Sequence, residues 1–198
     1  MIQILQKGAS VLREVAREVS PSDIRTPTIQ KVIQKMKEAV TQEEDAVAIA
    51  APQIGEGLRI FVVSKKVLTH EQASASGKTE ETSGKVLRNS ASSLRMSADQ
   101  LADQVFINPE IIKRSRQKSI LQEGCLSVRW FYGDVKRNEK VTIRAYDAMG
   151  NKVTRGASGL LAQIFQHETD HLNGILFIDT ARNLKEIPPE KHAEHDAH

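Results

Sequence analysis

Cysteine is nearly absent from this chain: Cys125 is the only one in 198 residues. No intrachain disulfide can form, which excludes the stapled scaffolds of small secreted proteins and favours a reducing compartment, the cytoplasm. Aromatics are scarce, with one Trp, two Tyr and five Phe making 4%, so aliphatic side chains must fill the core. No apolar run approaches the roughly 20 residues needed to span a bilayer. The opening Met1-Ile-Gln-Ile-Leu-Gln-Lys-Gly8 has no basic stretch followed by a long apolar one, so neither an export signal nor a membrane partner is expected. A dominant charge is also missing. Twenty-eight basic residues face 25 acidic ones for a net +3, and the signs interleave, so no specific nucleic-acid partner is expected. The one basic cluster, Lys113, Arg114, Arg116 and Lys118, reads as a solvated face beside a strand. A ribosome contact is the alternative reading.

A chain of this length forms one domain with a sizeable core. We expect it over 1–182, with a polar insertion over about 65–104 and a polar tail over 183–198. After Thr26-Pro27, apolar residues fall at Ile29, Val32, Ile33, Met36 and Val40, the spacing of a helix with one buried face and Thr26 as N-cap. It ends near Glu43 to Asp45. Pro52-Gln53-Ile54-Gly55 turns the chain into a strand over Leu58 to Val63. The insertion is rich in Ser, Lys, Glu and Gln, with a short helix around Leu94, Met96 and Leu101. Glu110 to Lys113 and Lys140 to Tyr146 read as strands, and Val153 onward pairs back as a hairpin. Ser158 caps a helix through Leu160, Ile164, His167 and His171, stopped by Asn173-Gly174. Ile175 to Ile178 reads as a closing strand. Runs of strands apart from helices predict an α+β fold: antiparallel strands around a central helix, an N-terminal helix and the long insertion.

His167-Glu168-Thr169-Asp170-His171 puts two imidazoles four positions apart, hence on adjacent turns of one helical face, where they can ligate one ion. Glu168 is offset from that point but can reach a water bound there, the position of a general base. Leu160 and Ile164 lie on the same face, so it is turned inward.

Two histidines leave a catalytic ion one donor short. An extended metalloprotease motif needs histidine at 177, where this chain has Phe177, although Gly174 matches. Glu190 and Glu194 lie beyond Pro188-Pro189 in the tail. Cys125 remains, and beside a divalent cation its thiol is a deprotonated, strong ligand. Thiolate with two imidazoles selects a transition metal over magnesium or calcium.

Glu123-Gly124-Cys125-Leu126-Ser127, with Gln166-His167-Glu168-Thr169-Asp170-His171 and the earlier Ala50-Ala51-Pro52-Gln53-Ile54-Gly55, resembles the peptide deformylases, whose three motifs occur in this order. The resemblance runs from Ile4-Leu5 through Asp179, apart from the insertion. It implies a metal-dependent hydrolase that removes the formyl group from the formylmethionine of new polypeptides, releasing formate. Cys125, His167 and His171 would hold Fe²⁺, replaceable by zinc, nickel or cobalt. Glu168 would be the base, and Gln53 with the Leu126 N–H would stabilise the oxyanion. Ala48, Gly124, Leu160, Gln163 and Ile164 would contact substrate, the latter three around the methionine side chain. A lapsed homologue that binds nascent peptides, or a metallopeptidase cutting internal bonds, is the alternative.

Three smaller expectations complete the reading. Ala46 and Ala48 stand where the family carries glycines, so their methyl groups are expected to narrow the cleft or alter the strand. Gly124 and Ser127 shape the turn that presents Cys125, and Glu123 pairs with Arg137 beside the ligands. Trp130, Phe131 and Tyr132 replace a proline-containing rim, as a substrate cap or as packing.

Overall fold

The computed structural model describes residues 1–67 and 102–188. The helix expected around Leu94, Met96 and Leu101 lies outside the described residues. Pro27–Gln42 forms helix α1, burying Ile29, Val32, Ile33, Met36, Ala39 and Val40. Thr26 occupies the N-cap position, but its hydroxyl donates to the Asp23 carbonyl at 2.6 Å and makes no cap bond. The start is set by Pro27, whose fixed φ suits a first helical turn.

The first sheet is antiparallel and five-stranded, in the order β1 (Ala48–Ala50), β2 (Ile60–Val63), β3 (Gln104–Arg114), β6 (Lys140–Tyr146), β7 (Lys152–Ser158). Strand β2, Ile-Phe-Val-Val, is buried throughout because helices cover both faces. Ile60 and Val62 join the cluster with α1, while Phe61 and Val63 join the cluster on the opposite face. That second face packs against helix α2, Gly159–Leu172, through Leu161, Ala162, Ile164, Phe165 and Leu172. The few aromatics are concentrated here: the Phe61, Phe106 and Phe165 rings lie 4.9 to 5.9 Å apart. Such tilted and edge-on contacts add about 0.5–1.5 kcal/mol per pair beyond area burial.

The second sheet has the order β4 (Lys118–Gly124), β5 (Phe131–Asn138), β8 (Arg182–Glu186). Helix α2 is pinned to it by polar groups. Gln166 accepts from the Asn138 N–H and donates to the Asn138 carbonyl, both at 2.9 Å. Gln163 donates to the Gln122 carbonyl at 2.9 Å. The helix is therefore central, with one face on the large sheet and another on the small one.

Several expectations change. Ile175 to Ile178 is no strand: Phe177–Asp179 forms a 3₁₀ turn, with Leu176 before it and Phe177 at its start both buried. Asp179 fixes it by accepting from the Leu176 N–H at 2.9 Å and from Arg13 at 2.5 Å. Expected strand Leu58 to Val63 shortens to Ile60–Val63, and the expected Glu110 to Lys113 lengthens to Gln104–Arg114. Asn108, at φ +50°, marks a register shift within β3 and exchanges two hydrogen bonds with the Val19 backbone. The tail begins with a strand, because Arg182–Glu186 pairs with β5 through its backbone although all five residues are exposed. Ser158 precedes α2 as N-cap, again without a side-chain cap bond.

Candidate metal centre and active site

Strand β4 ends at Gly124, and Cys125 follows at the start of a turn. Gly124 has no positive φ. Its reason is space rather than backbone freedom: a Cβ there would lie 2.8 Å from the Tyr132 ring. The turn brings the Cys125 sulfur 3.2 Å from His171 Nε2, and the sulfur accepts from the Ser127 N–H at 3.4 Å. One donor atom from each of Cys125, His167 and His171 lies within 4.8 Å of the others. The three expected ligands converge, from two elements 42 residues apart in the chain at their nearest, Cys125 and His167.

A second layer fixes the first. His167 Nδ1 pairs with Glu123 Oε2 at 2.9 Å, which leaves Nε2 as the ring's other donor. Glu123 is held by Arg137 at 2.7 and 2.9 Å, and Arg137 also reaches Asp170 at 2.5 Å. The expected Glu123–Arg137 pair is present and nearly buried. Burial pushes the Glu123 carboxyl up, but Arg137 and His167 outweigh it and hold the pKa at about 2. Burial likewise raises the Cys125 thiol, yet His171 and His167 bring it down to about 5. His167 is pulled down by burial and raised more by Cys125 and Glu123, ending well above the ordinary imidazole value. The site thus favours a thiolate with imidazole partners. Three convergent donors of this softness fit a divalent transition metal.

Glu168 is buried and its Oε2 has no partner among the described residues. Burial raises its pKa, against the pull of His167 and His171. Gln53 sits across the site in a short 3₁₀ turn, Ala51–Ile54. Its Oε1 accepts from the Ala50 N–H at 2.8 Å, which orients Nε2 toward Ser127 Oγ at 3.2 Å and the Cys125 sulfur at 3.6 Å. No group among the described residues takes the Leu126 N–H.

These residues open into a cleft whose lining includes Ala46, Ala48, Gln53, Gly124, Leu126, Leu160, Gln163, Ile164, His167 and Glu168. Every expected substrate-contacting residue is therefore on it. Ile164 is buried, whereas Leu160 is half exposed at the rim, so the inward face of α2 is turned partly to the cleft. Ala46 and Ala48 are both buried and belong to the two apolar clusters, and neither has a positive φ. Both thus pack in the core and border the cleft. Among the described residues, β1 pairs only with β2 and β4 only with β5, so two free strand edges flank the cleft. Asp170 was missed in the sequence reading, although it lies inside the histidine motif. Arg129, which bridges to Glu43 and Asp45, was missed because such distant pairs leave no local pattern.

The family model for polypeptide deformylase matches residues 1–186. The chain belongs to the polypeptide deformylase family. It is 36% identical over 186 residues to a peptide deformylase of Halothermothrix orenii, covering 94% of this chain and 97% of that one. It is 39% identical over 177 residues to peptide deformylase 1A, chloroplastic/mitochondrial, of Arabidopsis thaliana, covering 89% of this chain but 60% of the plant protein. Among solved structures, the peptide deformylase from Synechococcus elongatus in complex with actinonin superposes with TM-score 0.69 at 30% identity, over 92% of this chain and 79% of that one. The family activity is removal of the N-terminal formyl group from newly made polypeptides, and this chain has it. The lapsed-homologue and metallopeptidase alternatives are not favoured. No helix among the described residues is long and apolar enough to cross a membrane.

Proposed function

We propose that Cys125, His167 and His171 hold one Fe²⁺, replaceable by zinc, nickel or cobalt, and that Glu168, Gln53 and Leu126 carry out the deformylation. The convergence of those three donors beside a buried, unpartnered Glu168 oxygen carries the reading. Bound there, the ion supplies Lewis acidity, which makes water nucleophilic at neutral pH and draws charge onto the formyl oxygen.

The protein groups do the rest. Glu168 accepts the proton of the attacking water and returns one to the departing amine, so no covalent enzyme intermediate is needed. Charge growing on the formyl oxygen meets the Gln53 amide, oriented by the Ala50 N–H, and the Leu126 N–H, carried by the turn at Cys125. The peptide lies as an extra strand between the free edges of β1 and β4, where Ala48 and Gly124 let its backbone approach. Ile164, Leu160 and the stem of Gln163 receive the methionine side chain.

The 1–182 domain with its 65–104 insertion, a reducing compartment and N-formylmethionyl nascent chains as substrate complete the proposal. Anaerobically prepared, Fe²⁺-loaded protein incubated with formyl-Met-Ala-Ser is expected to release formate and Met-Ala-Ser. Cleavage between internal residues, or no formate, would count against it.

A further inference from the structure

The outer end of the cleft has a construction that the deformylation chemistry does not use. Trp130 is the only tryptophan in the chain and sits at φ +67°, a left-handed conformation that costs a bulky residue roughly 1–3 kcal/mol unless its surroundings impose it. The surroundings do. The Trp130 carbonyl accepts from the Ile187 N–H at 2.7 Å, at the end of β8. On the other side, the Arg129 guanidinium lies 5.4 Å from the centre of the indole ring. Arg129 is itself held by Glu43 Oε2 at 2.5 Å and Asp45 Oδ2 at 2.7 Å. The arginine thus crosses from the turn after Cys125 to the loop that enters β1. Despite this anchoring Trp130 stays 37% exposed and lines the cleft.

Direction follows from β1. Its C-terminal end leads to Gln53 and the reaction centre, and its N-terminal end to Val47 and Asp45, which line the same cleft as Trp130, with Asp45 paired to Arg129. A peptide extended along β1 advances about 3.3 Å per residue. With the formyl carbon at the centre, the residues downstream of the formylmethionine run toward the end of the cleft that Trp130 lines. We propose that Trp130, held in place by Arg129, is a specificity-determining residue that contacts the peptide downstream of its formylmethionine. This rests on the deformylase reading above.

The test compares formyl-methionine amide with formyl-Met-Ala-Ser on the metal-loaded enzyme. Trp130→Gly relieves the left-handed strain, so folding is retained while the ring is lost. It is expected to raise the tripeptide KM about tenfold, as for loss of an aromatic anchor, while kcat and the KM of the short substrate stay within about twofold. Trp130→Phe restores most of the difference, and Arg129→Ala gives a smaller rise of the same pattern. In the native enzyme, the fluorescence of this single tryptophan shifts at tripeptide concentrations above KM and not with the short substrate. Equal changes for both substrates, no change for either, or unchanged fluorescence at saturation overturns the proposal and sends the peptide out past Leu160. Absence of formate from the native enzyme on both substrates overturns the deformylase reading instead.

Discussion

The two ends of the cleft are built on different principles. At the inner end, two groups of the proposed site are backed by partners: Glu123 stands behind His167, with Arg137 behind Glu123 and Asp170 behind Arg137, and the Ala50 N–H stands behind Gln53. Burial makes such a chain exacting, because removing one member strands a charge or a donor. At the outer end, Arg129, Asp45, Trp130 and Leu160 are partly exposed, and Arg129 is joined to Glu43 and Asp45 by ion pairs that water screens. The inner end should therefore govern kcat, metal retention and stability. The outer end should govern which peptide binds.

The largest expected effect that could break this division is at the base. Glu168→Gln should lower kcat about 10²–10⁴-fold, the usual contribution of a general base, with KM little changed in steady-state assays. Because burial raises the Glu168 pKa, kcat should rise with pH on the acid side, through a value above the ordinary carboxyl range.

Next is the charge chain. Arg137→Ala leaves Glu123 buried without its main partner and should destabilise the protein by about 3–5 kcal/mol, read by denaturant unfolding. The sign with pH is fixed by Glu123, whose folded pKa of about 2 lies below its ordinary 4.5. Its stabilisation is full above about pH 4.5 and is lost as pH falls toward 2. Arg137→Ala should weaken that dependence, leaving the part that His167 supplies.

The smallest effect sharpens the comparison from the strand wall. Ala48→Gly removes a buried methyl and frees the backbone, at a cost of about 1 kcal/mol. KM for formyl-Met-Ala-Ser should change by less than about threefold if the methyl serves the core, since a methyl that met the substrate would be worth about tenfold or more. A tenfold gain would mean that the methyl obstructs the cleft rather than filling the core.

Much of the inner end was legible in the sequence, for a physical reason. Two imidazoles and a carboxylate within five residues have their geometry set by helix pitch, and Cys125 follows from the donor count. Helix α1 and strand β6 were equally readable from periodicity. Where neighbouring structure overrides local pattern, the reading failed. Ile175 to Ile178 carries strand-like residues, but the turn at Gly174 packs so closely on the Arg13 backbone, 2.6 Å from a would-be Cβ, that the chain coils instead. Arg182–Glu186 is polar and exposed yet forms a strand, since pairing to β5 needs only its backbone. Arg129 bridges 84 and 86 residues to its acids, a separation that no local periodicity encodes.

The central claim is that α2 supplies two metal ligands and, separately, a base. Metal content and kcat measured on the same preparations of Glu168→Gln and His167→Ala test it most directly. The account expects Glu168→Gln to keep one metal per chain while losing at least about a hundredfold in kcat, and His167→Ala to lose both. A Glu168→Gln protein that loses its metal, or that keeps its metal and its turnover, would contradict it.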